Sequence, residues 1–538
     1  MKTILAMLAA VLPLPAAAQA PVVRAPAGAV QGEVADGVRV FRGIPYAQPP
    51  VGTLRWKPPV ALPAWQGVRQ ATAFGAACVQ PRITAGIYAN PPQRMDEDCL
   101  TLNVWSPREA KGLPVIVWIH GGALVSGYSH EGMYDGARLA AKGAVIVSIN
   151  YRLGILGYLA HPALSAESPD GVSGNYGLLD QIAALRWVRD NVAAFGGDPA
   201  NVTIAGESAG GLSVLYLMAS PRARGLFGKA VAQSAYMIAA PELKAARHGL
   251  PAAESAGTTI ARALGAADLA ALRATDAQAL SQGAVAKGFG PWGTVDGKVL
   301  PRQLVDTWDR GEQAPVPVLA GFNTGEIRSL RMLLPPRPAD AAAYETAIRA
   351  RYRDLADPFL RLYPARDMGE AMLATTRDAL YGWTSLRLAI GQGAIGRAGY
   401  LYLFDHGYPA ADEAGLHAFH AAEIPYVFGT TRGTAPYWPK IPDGVADRRL
   451  SAAMMDYWLS FARTGTPTAP GLPPWAPYGT AANYMMFGQV PRAATRPLPG
   501  MFALHEAAMC RRRAAGDQPW NWNAGVASPV LAPAAGCR

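Results

Sequence analysis

Five residues, Gly206-Glu207-Ser208-Ala209-Gly210, have the spacing G-x-S-x-G. In that pattern a serine hydroxyl can be lifted out of a sharp strand-to-helix turn and used as a nucleophile. The pattern is short and the chain is rich in glycine, with 57 in 538 residues, so context must carry the argument. Val202-Thr203-Ile204-Ala205 is β-rich and leads directly in, and an apolar helical run over 211–218 leads out. The flanking glycines, Gly206 and Gly210, matter because side chains there would collide with the neighbouring strand and helix. The plainer reading is a glycine-rich turn whose serine only caps the helix.

A serine hydroxyl attacks only when a base takes its proton and a pocket of donors receives the developing charge. His120-Gly121-Gly122-Ala123 follows the apolar run 113–119 and is small enough for backbone N–H groups to converge on one oxygen. That loop is the candidate oxyanion pocket, and the N–H of Ala209, next after the serine, is the expected second contribution. Enzymes built on this turn run serine, acid, histidine along the chain. That order leaves His406, His417, His420 and His505 as candidate bases. His406 directly follows a strand-like run and reads as a group bonded within the sheet. His420 sits on the loop beyond, with an acidic and aromatic continuation. Glu326, ending Gly321-Phe322-Asn323-Thr324-Gly325-Glu326, is the acid that best follows a strand and precedes that histidine. On residue type and position alone, each is also compatible with a structural role.

The elements around these residues alternate. Segments 113–119, 144–149, 201–205, 316–322 and 400–404 read as strands, and 180–191 and 211–218 as helices. Such alternation predicts an α/β fold with a large, mostly parallel sheet covered by helices on both faces. The segments 247–282 and 339–394 are mostly helical and are expected to insert over the sheet's active edge. No repeat or long linker divides residues 21–538, which are expected to form one domain with a tail over about 510–538.

The formal net charge is +10, but the basic residues are scattered and only Arg511-Arg512-Arg513 forms a run, without interleaved aromatics. That excludes the concentrated stripe of a nucleic-acid surface. Residues 1–20 read as a signal peptide: Lys2 is the positive start, 4–15 the apolar region and Ala18-Gln19-Ala20 the cleavage site. Export to the periplasm or beyond is expected, with no membrane span. The four cysteines, Cys78, Cys99, Cys510 and Cys537, suit an oxidising compartment. Three connectivities are possible, of which pairing sequence neighbours is the simplest. None has metal-ligand spacing, and no metal or organic cofactor is expected.

The chain resembles the type B carboxylesterase family, which includes the cholinesterases, from about residue 40 to 478. Phe41-Arg42-Gly43-Ile44-Pro45-Tyr46-Ala47 is similar to its amino-terminal signature, and Glu97-Asp98-Cys99-Leu100 to its second. Phe195-Gly196-Gly197-Asp198-Pro199 leading to Gly206–Gly211 is the most specific block. The resemblance implies an α/β-hydrolase fold and hydrolysis of small-molecule esters. It implies Ser208, Glu326 and His420 as nucleophile, acid and base, donors at Gly122, Ala123 and Ala209, and a Cys78–Cys99 disulfide. Gly325 and Ile327 depart from the family's usual residues around the acid. The 78–99 loop contains no Trp to hold a quaternary ammonium, which argues against choline esters. Short-to-medium acyl esters of aryl or bulky alcohols are the expected substrates, and Tyr88, Trp292 and Trp383 are candidates for the pocket mouth. A lipase, or a non-catalytic adhesion protein on the same scaffold, are the alternatives.

Overall fold

A parallel sheet covered on both faces needs strands that are apolar on both sides, and Leu113–Ile119, reading LPVIVWI, is such a strand. The computed structural model describes residues 20–520 and 522–537. The expected signal peptide, Ala20 apart, lies outside them. Eleven strands form the main sheet among the described residues: β1 Glu33–Ala35, β2 Val38–Pro45, β3 Thr101–Pro107, β4 Leu113–Ile119, β5 Val145–Ile149, β6 Gly197–Glu207, β7 Lys229–Gln233, β8 Val318–Asn323, β9 Gly399–Phe404, β10 Asn483–Phe487 and β11 Pro491–Thr495. Their spatial order is β11-β10-β9-β8-β7-β6-β4-β5-β3-β2-β1. All neighbours from β10 to β5 pair in parallel, and antiparallel strands close both edges.

Side chains of a strand alternate between faces, and β4 shows what each face meets. Val115, Val117 and Ile119 pack with Ile182 and Leu185 of α1 (Tyr176–Asn191) and with Leu212 and Leu215 of α2 (Ala209–Ala219). Ile116 and Trp118 pack with Leu450, Met454 and Trp458 of α3 (Val445–Thr464). Burial of each large side chain contributes about 1.5–3 kcal/mol. The predicted α/β architecture is therefore the observed one.

Boundaries differ where tertiary contacts extend an element. α1 starts at Tyr176 rather than 180, because Tyr176 and Leu178 are also buried. The strand expected at 201–205 runs from Gly197 to Glu207, with a register shift between Gly197 and Val202. The two helical segments contain Ala253–Ala263, Leu269–Ala274 and Ala277–Ala286, and Ala341–Tyr352 through Trp383–Ala394. Cys78 is bonded to Cys99 and Cys510 to Cys537, with Cα–Cα distances of 5.0 and 5.4 Å. No helix among the described residues is long and apolar enough to cross a membrane.

Candidate active site

Four parallel strands deliver the candidate residues from their carboxyl ends, the edge at which open α/β sheets gather ligands. β4 ends at Ile119 and is followed by His120-Gly121-Gly122-Ala123, while β6 ends at Glu207 and turns through Ser208 into α2. β7 leads into Ser234, and β8 into Glu326. Ser208 has φ 57° and ψ −120°, a conformation L-residues rarely adopt. Of residues 202–220 it alone is not buried. The close approach that permits this is visible at Gly210, where a Cβ would lie 2.1 Å from the carbonyl oxygen of Ile119. Strand and helix thus press together on either side of the turn and leave the serine as its only outlet.

His420 arrives from the loop after β9. Its Nδ1 is hydrogen-bonded to Glu326 Oε2. Glu326 Oε1 accepts from the Ser234 hydroxyl at 2.6 Å and from the Asn323 backbone N–H at 2.8 Å, so the fully buried carboxylate is fixed at both oxygens. The backbone beside the pair is stitched as well. Gly325 N–H donates to Ala418 O at 2.8 Å, and Asn323 Nδ2 donates to Phe419 O at 2.8 Å. Nε2 of His420 lies 3.0 Å from Glu207 Oε1, yet Glu207 Oε1 takes no hydrogen bond. The contact is one of charge, off the ring's N–H direction. Ser208 belongs to the same cluster, because its N–H donates to Gln233 O at 3.0 Å, immediately before Ser234.

The electrostatics follow from this crowding. Burial opposes a charge on His420, but Glu207 and Glu326 outweigh it and raise the pKa to about 9. Burial lifts Glu207 to about 8 despite the attraction of His420, with Glu423 and Glu326 adding to the rise. Glu423 is raised by burial and by Glu326, and it accepts from Asn323 Nδ2 at 2.7 Å and Gln233 Nε2 at 2.9 Å. His120 is lowered to about 4 by burial and stays neutral. On the other side of the serine, φ is positive at Gly122, Ala123 and Leu124, with values of 103°, 57° and 59°. This left-handed run turns the chain tightly beside Ser208. Ala209 opens α2, whose amino-terminal N–H groups and dipole favour negative charge there.

The chain is similar to known proteins along most of its length. Residues 19–498 match the Carboxylesterase family. The chain belongs to that family. It is 37% identical over 486 residues to a fumonisin B1 esterase of Sphingopyxis macrogoltabida, covering 86% of this chain and 85% of that one. It is 36% identical over 455 residues to a para-nitrobenzyl esterase of Bacillus subtilis (strain 168), covering 82% and 89%. A solved structure of a PNB esterase superposes with a TM-score of 0.74 at 32% identity, over 88% of this chain and 97% of that one. The fold is that of the α/β-hydrolases, and this carboxylesterase-family chain is a carboxylic ester hydrolase.

Against the family pattern, the departure at Gly325 has a local cause. A Cβ there would sit 2.7 Å from Leu416 O and 2.8 Å from Ala418 O, so the close passage of the His420 segment requires glycine. Among the aromatic candidates, Tyr88 reaches the site, donating to His420 O at 2.8 Å. Trp383 does not: it is fully buried, and its indole N–H donates to Glu506 at 2.7 Å. His406 pairs with Asp447 of α3 at 3.0 Å rather than within the sheet. Sequence reasoning missed Ser234, Glu423 and Tyr381, whose ring lies 5.3 Å from that of His420 on a π-helical turn, Asp378–Gly382. Ser234 directly follows a strand end, which is the one signal that would have found it.

Proposed function

We propose that the chain is an exported serine carboxylesterase in which Ser208, His420 and Glu326 act as nucleophile, base and acid. The observation that carries the reading is that Ser208 alone within 202–220 is not buried, and follows Glu207, whose Oε1 lies 3.0 Å from Nε2 of a histidine whose Nδ1 is bonded to a doubly anchored carboxylate. His420 accepts the Ser208 proton as the hydroxyl attacks the ester carbonyl. Backbone N–H groups of Gly122, Ala123 and Ala209 receive the oxyanion. The alcohol leaves with the proton from His420, and water then cleaves the acyl-enzyme by the same route. Glu326 holds the imidazole tautomer and stabilises its charged form. Two disulfides and the signal-like residues 1–20 support export. Relatives named for para-nitrobenzyl and fumonisin B1 esters support substrates with bulky or aryl groups.

The test is covalent labelling of purified protein with an organophosphonate, followed by peptide mapping. Label is expected on Ser208, with loss of hydrolysis of an activated aryl ester. Label on another serine refutes the assignment. Higher kcat/KM for butyrylthiocholine than for an aryl butyrate refutes the substrate class.

A further inference from the structure

Residues 418, 419 and 420 bring the proposed base to the serine turn, and each of their carbonyl oxygens is taken by a donor from elsewhere in the chain. Gly325 N–H and Asn323 Nδ2 hold the first two, and both come from the segment that ends in Glu326. The third, His420 O, accepts from Tyr88 OH at 2.8 Å, across 332 positions of sequence. The same phenol oxygen lies 2.7 Å from Oγ of Ser329, the residue that ends the turn Glu326–Arg328. A phenol has one proton. Given to His420 O, it leaves the oxygen to accept from Ser329, so Tyr88 joins the main chain of the base to the turn of the acid. Burial raises the Tyr88 pKa well above the usual phenol range, which keeps the hydroxyl a donor.

Tyr88 is the single aromatic residue of the 78–99 loop, and the loop is fixed around it. Cys78–Cys99 closes the two ends. Gln80 makes two bonds to Gly127, its Nε2 donating to Gly127 O at 2.9 Å and its Oε1 accepting from Gly127 N–H at 2.8 Å. Asn90 O accepts from Tyr128 OH at 3.2 Å. The loop is thus pinned, before and after Tyr88, to the chain that follows the candidate oxyanion residues. The Tyr88 ring stands edge-on to Trp438 at 5.8 Å, and Trp438 packs on Phe419 at 4.8 Å. A donor whose ring and loop are already fixed can hold its acceptor in one place, as supporting shells do for catalytic groups.

We infer that Tyr88 is a positioning residue for His420: its hydroxyl, brought by the disulfide-closed loop, fixes the base beside the serine turn without touching substrate. The inference rests on the triad proposed above. Tyr88→Phe removes the bond and keeps the ring on Trp438. Its effect is read in the phosphonylation of Ser208 by an organophosphonate and in the turnover of an aryl acetate. The maximal phosphonylation rate and kcat should each fall about tenfold, as for a base displaced by a fraction of an ångström, while the half-saturating phosphonate concentration stays within about twofold. A role confined to stability would leave both rates unchanged at a temperature where circular dichroism shows the variant folded. Because Tyr88 acts through the imidazole, adding Tyr88→Phe to His420→Ala should cost no further turnover. Native maximal rates in folded Tyr88→Phe overturn the inference. So does a loss carried by the half-saturating concentration alone, or a second tenfold loss on the His420→Ala background. Failure of the triad itself reads differently: the phosphonate would then not label Ser208 even in the native protein.

Discussion

Three histidines within fifteen residues each face a carboxylate, in three different settings. His417 stands half-exposed between Asp412, 2.8 Å from Nδ1, and Asp405, 3.2 Å from Nε2. Hydrogen bonding to Asp405 raises its pKa, partial burial opposes the rise, and Asp412 adds to it. His406 is buried against Asp447, which also accepts from Tyr426 OH at 2.8 Å. His420 is buried between Glu326 and Glu207. A histidine–carboxylate pair therefore says little about catalysis. What distinguishes His420 is that its carboxylates are placed by β6 and β8, the strands flanking β7, so the imidazole lies beside the serine turn.

The sharpest way to break this comparison is at the serine. Ser208→Ala should lower kcat by about 10⁴-fold or more on an aryl acetate if the three proposed groups act as a unit. Retained turnover would move the chemistry elsewhere. Next come the histidines themselves. His420→Ala should lose about 10³-fold or more in kcat, while His417→Ala and His406→Ala keep most of theirs. His406→Ala instead takes the imidazole partner from the buried Asp447 carboxylate and leaves it the Tyr426 hydroxyl, and its unfolding free energy should fall by about 1–3 kcal/mol in denaturant titration. If His417→Ala is inactive and His420→Ala active, the base is misassigned.

A smaller effect separates the two carboxylates around His420. In the proposed mechanism His420 works as base only when deprotonated, so kcat/KM is expected to rise with pH through its titration. Glu207 and Glu326 raise that pKa against the opposing effect of burial. Removing the Glu207 charge in Glu207→Gln should shift the acidic limb to lower pH with a modest change in maximal rate. A limb that stays put, or moves upward, contradicts the charge contact. The smallest expected change is Ser234→Ala, which removes one of the two donors on Glu326 Oε1. A rate loss of about tenfold would correspond to the 1–1.5 kcal/mol of a single hydrogen bond.

Local order was legible in the sequence because it is written at short range. The apolar run of β4 and the glycines about Ser208 matched their elements to within a few residues, since strand period and the space inside a turn act between near neighbours. Which histidine lies by the serine turn was not legible in that way. It depends on Gly325 and Asn323 bonding the backbone of residues 418 and 419, more than ninety positions along the chain. The resemblance supplied that choice, and spacing alone left it open. Trp383 was a candidate for the pocket mouth because an aromatic residue reads the same in sequence whether it faces substrate or fills the core. Its partner, Glu506, lies on a helix 123 residues later.

The turn at Ser208 has one more consequence, for the economy of the whole fold. A residue held at φ 57° and ψ −120° sits in a region that glycine tolerates and serine resists. Strain of this kind costs on the order of 1–3 kcal/mol, and a glycine's freer unfolded chain takes back about 0.4–1 kcal/mol of any relief. Ser208→Gly should thus be inert and yet melt at a higher temperature than the native protein. The most useful residue of the molecule would then be a defect in its stability, one that the sheet beneath it is strong enough to carry.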